Sequence, residues 1–225
     1  MRITWKTEWP NWVLILGMFV MAGLSWASAP DRIPVHWNIT GQVDRYGGKV
    51  EGLLAIPLIT LSTYILLILT PLIDPGRANY ERFAGVYSLI RTLLTVLFAA
   101  IYAVVLLWVR GYQVDVSAII PIAIGAFFII IGNYMGKIRP NWFVGIRTPW
   151  TISSKRSWTK THRLGGWIFI LMGLVLILSG VVRTEWAAYL SFAVIIGGVI
   201  WTFVYSYLVW RNDPDRIPPS GTLPG

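Results

Sequence analysis

The sequence predicts an all-α, polytopic membrane protein with six transmembrane helices and both termini in the cytoplasm. Three observations lead there. Hydrophobic residues make up 56% of the 225 positions and charged residues only 13%, about half the share of a soluble domain. The apolar residues fall into six runs, each close to the ~20 residues that cross a hydrocarbon core as a helix. The basic residues, finally, collect in alternate connections.

The runs are read as Trp12–Ala29, Gly52–Ile73, Thr92–Val109, Ala118–Met135, Leu164–Val182 and Trp186–Trp210. Pro57 sits in the first turns of the second run and Pro71 near its end. None shows the apolar/polar alternation of a barrel strand. Backbone groups in lipid must pair within the segment, so helices follow. Both termini and the second and fourth loops carry 14 Lys and Arg, against 5 in the first, third and fifth loops. The positive-inside rule puts the first set in the cytoplasm. The net charge of +9 is therefore read as topology, not as a nucleic-acid surface.

The start of the chain imitates a secretion signal. Arg2 and Lys6 precede an apolar run that ends in Ala27-Ser28-Ala29. The next residue is Pro30, which obstructs cleavage, so the run is read as a retained span. "PDRIP" occurs at Pro30 and again at Pro214, with unrelated flanks, and is no repeat. Organisation is read as 1–75 (two helices and an external loop), 76–210 (a four-helix membrane region) and 211–225 (a cytoplasmic tail, Pro-rich and extended).

No Asp, Glu, Lys, Arg or His falls in the middle third of a run as drawn. That argues against a proton relay at depth and leaves the loops as the places for chemistry. The chain has no cysteine, hence no disulfide and no thiolate metal site. HExxH, GxSxG and P-loop patterns are absent, so no enzyme and no cofactor are expected.

Two loops carry content. The first, "PDRIPVHWNITGQVDRYGGK" (30–49), is external and turn-rich. His36, Asn38 and Asp44 are its candidate recognition groups. A compact cap with His36 bonded to backbone is the competing reading, and a metal site would lack a second histidine on that side. The fourth loop contains "RPNWFVGIRTPWTISSKRSWTKTHR" (139–163), with six basic residues, three tryptophans and no acid. Basic residues beside a bilayer attract anionic headgroups and Trp prefers the interface, so a lipid anchor accounts for its composition. The order of small and rigid residues suggests more. Gly145 and Pro149 flank Arg147 and would aim its guanidinium, whose planar fork suits bidentate acceptors.

The two loops also carry a family resemblance. "GNYMGKIRPNWFVGIRTPWTISSKRSWTKTHRLGG" (132–166) resembles the signature of the SdpI family of bacterial immunity membrane proteins. The motif falls on Asn133, Lys137, Arg139, Asn141, Arg147, Trp150, Trp158, His162 and Arg163. The first loop is similar to a small domain of unknown function that often precedes this family, through His36, Asn38 and Asp44. The resemblance implies a multi-pass plasma-membrane protein that gives resistance to a secreted, membrane-active peptide toxin outside. It also implies capture of a cytoplasmic helix-turn-helix repressor inside, in a signalling role without direct nucleic-acid contact. It carries no catalytic residue, metal or cofactor. The competing functions are a small-molecule or lipid transporter using the junction around Asn133 and Arg147, and a membrane enzyme.

Overall fold

A computed structural model describes residues 4–216. Arg2 and the proline-rich stretch 217–225, read above as part of the tail, lie outside the described residues. Six helices are long and apolar enough to cross a membrane. In chain order these are α1 (Trp5–Trp26), α2 (Lys49–Ile73), α3 (Ala84–Val109), α4 (Val116–Met135), α6 (Lys155–Val182) and α7 (Glu185–Arg211). Between them lie β1 (Ile33–Trp37), β2 (Val43–Gly47), a 3₁₀ helix (Arg77–Phe83) that leads into α3, and the short α5 (Pro149–Ser153). This is a polytopic, multi-pass membrane protein.

Four boundaries differ from the sequence reading. Helix α1 begins at Trp5, so Glu8 and Asn11 lie inside it. Helix α3 begins at Ala84, so Arg91, counted above among loop cations, stands two turns inside a span. Helix α6 begins at Lys155, which makes Trp158, His162 and Arg163 helical. The first loop, read as turns, folds as a two-stranded antiparallel hairpin pairing Ile33 with Gly47 and Trp37 with Val43. The first three differences share a cause: polar side chains with partners were read as loop, though a helix can carry them.

The closest packing is between α4 and α6. Ala118, Gly125 and Gly132 recur every seven residues on α4, and Gly166, Gly173 and Gly180 do so on α6. Seven residues are nearly two helical turns, so each set forms one stripe. A Cβ on Gly125 would lie 2.6 Å from the Gly173 carbonyl oxygen, and one on Gly132 would lie 2.7 Å from that of Gly166. The stripes are interlocked backbone to backbone. Lipid tails are as apolar as leucine, so helices in a bilayer associate through such close packing rather than through burial from water.

Helix α3 packs on α1 and α2 around different chemistry. Arg91 forms a buried ion pair with Glu8, and the two side chains are 1% and 3% exposed. Glu8 also accepts from the Tyr64 hydroxyl at 2.9 Å and the Asn11 amide at 3.3 Å. The guanidinium lies 5.0 Å from the Tyr87 ring centre. At the opposite end of the same helices, Met18, Ala22, Ala29, Ile33, Leu53, Tyr102 and Val105 seat the hairpin in an apolar cluster.

Helices alternate in direction, so the hairpin, the α3–α4 link and the α6–α7 link share one end. Among the described residues that end carries five Lys and Arg against five acids, and the other carries thirteen against five. The whole excess of positive charge thus lies at one end, called here the basic end.

Two predictions follow from this architecture. The chain has no native cysteine, so Gln42→Cys and Lys155→Cys can each be labelled singly. An impermeant maleimide should label Gln42→Cys in intact cells and Lys155→Cys only after lysis; labelling of both from outside would defeat the topology. Gly132→Leu should abolish stable accumulation because a backbone carbonyl blocks the side chain. Gly17→Ala, where nothing lies within 4 Å of the added carbon, should accumulate normally.

Candidate functional site

At the hairpin end, α4 and α7 each pack on α6 and leave a groove between them. Its volume is about 650 Å³. The walls are apolar, with Ile120, Ile124 and Phe128 of α4 facing Ala188, Phe192 and Ile195 of α7. The hairpin turn, His36 to Gly41, forms the roof.

The roof is built by its own sequence. The Asn38 side-chain oxygen accepts from the Thr40 N–H at 3.0 Å, the Thr40 hydroxyl at 2.7 Å and the Gln42 N–H at 2.9 Å. Gly41 turns the chain at φ +78°. A Cβ there would meet Ser117 Cβ at 2.8 Å, so glycine lets the turn touch the start of α4. His36 Nδ1 and Asp44 Oδ1 are 2.6 Å apart across the hairpin, and both side chains remain exposed. The sequence reading took all three residues as one cluster. The structure joins His36 to Asp44 and gives Asn38 to the turn.

Charged groups ring the mouth. Asp115 caps α4 through the Ala118 N–H and pairs with Arg183 at 3.2 Å. The Ser117 hydroxyl, the Ala118 N–H and the Arg183 guanidinium hold the Asp115 carboxyl below the usual carboxylate range, so it stays anionic at neutral pH. Arg183 itself ends α6 in the left-handed region, at φ 58°. None of Asp115, Ser117 and Arg183 was singled out from the sequence. The available signal was Asp115–Ser117 before an apolar run, a helix N-cap pattern.

The basic end holds the other candidates, and here the segment 139–163 is an ordered structure. The Ile146 N–H donates to His162 Nε2 at 3.0 Å, and His162 Nδ1 lies 2.8 Å from the Trp158 carbonyl. An Nε2 that accepts cannot carry a proton, so Nδ1–H donates and the ring is a neutral tautomer. Trp158 stacks on that ring at 4.1 Å and donates its indole N–H to the Ile138 carbonyl at 2.9 Å. Gly145, at φ +111°, leaves room for the His162 ring, and Gly165 leaves room for Ile146. The loop is therefore keyed into α6.

Asn141 closes the loop on itself. Its amide donates to the Arg139 and Val144 carbonyls, both at 2.9 Å, and its oxygen accepts from the Phe143 and Val144 N–H groups. Asp74, buried at the end of α2, accepts from the Trp142 N–H at 3.0 Å and the Tyr80 hydroxyl at 2.7 Å. That ties the end of α2 and the 3₁₀ helix ahead of α3 to the loop. Thr148 and Thr151 form a reciprocal capping box on α5, and the Thr148 hydroxyl donates to Ser206 of α7 at 2.9 Å. Trp150 packs on Phe203 and Tyr207, with ring centres 4.7 and 5.1 Å away.

Five candidates stand apart from this network as exposed side chains: Asn133, Lys137, Arg139, Arg147 and Arg163. Arg147, whose guanidinium the flanking Gly145 and Pro149 were expected to aim at a bidentate acceptor, is exposed and donates to the Trp142 carbonyl. Lys137 lies over the Tyr134 ring at 4.8 Å, and Asn133 donates to the Ile129 carbonyl of its own helix. Among the described residues no group of three or more His, Cys, Asp or Glu could hold a metal.

Six membrane-crossing helices, a hairpin-roofed groove at one end and a keyed basic loop at the other define a multi-pass protein of the plasma membrane. Residues 137–206 match the model of the SdpI/YfhL protein family, and residues 13–61 match a domain of unknown function, DUF1648. The SdpI/YfhL match thus lies behind the DUF1648 match along the chain. It is similar to the Immunity protein SdpI of Bacillus subtilis (strain 168), with 21% identity over 203 residues, covering 89% of this chain and 94% of that one. No solved structure matches. The DUF1648 match spans the hairpin with His36, Asn38 and Asp44. The SdpI/YfhL match spans every basic-end candidate except Asn133.

The geometry separates folding residues from exposed ones. Asn141→Ala leaves four backbone groups without partners, and each buried loss costs about 1–3 kcal/mol. Asn141→Ala and His162→Ala should lower the melting temperature of detergent-solubilised protein, and Arg147→Lys should not. An unchanged melting temperature in the first two would mean that the keyed loop is not part of the stable fold.

Proposed function

We propose that this chain protects its cell from a secreted, membrane-active peptide, which it takes into the groove beneath the hairpin. The observation that carries the reading is the groove: apolar walls from two membrane-spanning helices, under a polar roof. An amphipathic peptide has both surfaces. Its apolar face would lie against Ile124, Phe128 and Phe192, and its polar face would meet His36, Asp44 and the Arg183–Asp115 pair. The similarity to a protein named for immunity supports the same reading. Capture of a cytoplasmic repressor is its second part. The exposed cations Lys137, Arg139 and Arg147 at the basic end supply a surface for an acidic partner, and the keyed loop would transmit occupancy across α4 and α6.

The test is expression in a peptide-sensitive host. His36→Ala and Asp44→Ala each remove one exposed hydrogen-bonding group, worth about 0.5–1.5 kcal/mol, so roughly a two- to tenfold loss of protection is expected. Ala188→Trp, which fills the groove, should remove protection almost entirely. Full protection by all three variants at wild-type abundance would sink the proposal.

A further inference from the structure

A second groove lies at the basic end, between the start of α6 and the end of α7, with a volume of about 360 Å³. Along α7 and the Asn212 that caps its end, Trp201, Tyr205, Leu208 and Asn212 follow one another at steps of four, three and four residues, which places them along one helical face. Opposite them on α6 stand Arg156 and Lys160, one turn apart, lining the same groove. The stripe is graded. It is polar at Asn212 and Arg156 and becomes apolar toward Trp201, eleven residues and about 16 Å further along the helix.

Among the described residues neither cation is neutralised. The Arg156 guanidinium there donates only to the Asn212 carbonyl, at 3.4 Å. Among the described residues Lys160 has no hydrogen-bond or ion-pair partner. The neighbouring acid, Asp213, is buried and accepts from the Ser154 hydroxyl. The apolar side is equally open: Trp201 and Leu208 are half-exposed on the helix with the smallest buried share of the six. Two cations without an acidic partner among the described residues, at the head of a slot that turns apolar along a membrane-spanning helix, complement an anion that carries a hydrocarbon tail. Basic pockets between membrane helices bind anionic headgroups in this way.

We propose that this groove is a binding site for an anionic phospholipid. The phosphate lies between Arg156 and Lys160, and an acyl chain runs along Leu208, Tyr205 and Trp201. Other cations at this end draw anionic lipid as a summed charge. Arg156 and Lys160 differ because they share one slot with the aromatic stripe.

The experiment is native mass spectrometry of the full chain in detergent, titrated with phosphatidylglycerol or phosphatidylcholine. Wild type should retain phosphatidylglycerol through activation that strips phosphatidylcholine. The double variant Arg156→Gln/Lys160→Gln should retain several-fold less. Lys137→Gln/Lys155→Gln removes the same charge from the same end outside the groove and should match wild type. Glycerol phosphate in excess should not displace the lipid. Melting temperatures of both double variants establish that they fold. Equal loss in both reduces the site to diffuse attraction and overturns the proposal, and so does displacement by glycerol phosphate. A dimer that wild type forms and Arg156→Gln/Lys160→Gln does not, with lipid retention unchanged, assigns the groove to a second copy and overturns it too.

Discussion

The interlock of α4 with α6 is the constraint on which both ends of the molecule depend. Where Gly125 meets Gly173 and Gly132 meets Gly166, neither helix can slide or rotate without driving a carbonyl into a Cα. Contact at that distance also allows weak Cα–H···O bonds between the backbones. The register so fixed reaches outward in both directions. At the hairpin end it brings Gly180 against Ala118 and so sets Asp115 beside Arg183. At the basic end it holds the start of α6, with His162 and Gly165, where the 139–148 loop can key into it. The groove walls and the loop are two consequences of one seam.

The first three helices have no comparable seam. They are joined through the Glu8–Arg91 pair, with Tyr64 and Asn11. Removing two charges from water is expensive, and an apolar pair of similar volume often serves stability as well. The pair therefore needs another justification, and direction supplies one. Glu8 accepts from residues of α1, α2 and α3, so only one rotation of each helix satisfies it. Arg91 Nη1 and Asn11 Oδ1 find no protein partner, which is the expected cost of using polar groups to specify a packing that greasy surfaces leave degenerate.

The sequence made legible what depends on length and sign. Six spans, their alternation and the lopsided charge follow from runs of apolar residues and from where Lys and Arg fall. It misled where a polar residue has a partner far along the chain. Arg91 looks like a loop cation until Glu8, 83 residues away, is seen beside it. The hairpin was hidden because Ile33–Trp37 and Val43–Gly47 are short strands, each broken by a charge or a proline. The seven-residue spacing of small residues on α4 and α6 was in plain view, but glycine in an apolar run reads as neutral unless the partner stripe is sought. Of the candidate residues, the resemblance picked the right segment and could not sort it. Asn141, Trp158 and His162 are buried and hold the fold, while Lys137, Arg139, Arg147 and Arg163 face outward.

That sorting answers what a basic, Trp-studded segment does in an oily chain. If composition alone mattered, its three tryptophans would be equivalent interface anchors. They are not. Trp142 is half-exposed and offers its backbone N–H to Asp74. Trp150 packs edge-on against α7. Trp158 is fully buried, stacked on a neutral histidine whose far nitrogen holds the loop. The cations divide in the same way, with Arg147 laid on a carbonyl and Lys155 left exposed at the first position of α6. Position, not composition, decides which of these side chains pack into the fold and which stay exposed. Most of its neutral polar groups are spent on the loop itself, on α7 and on Asp213, which leaves positive charge and a few exposed apolar side chains, Trp142, Phe143 and Ile152, as what it presents to whatever approaches that end of the protein.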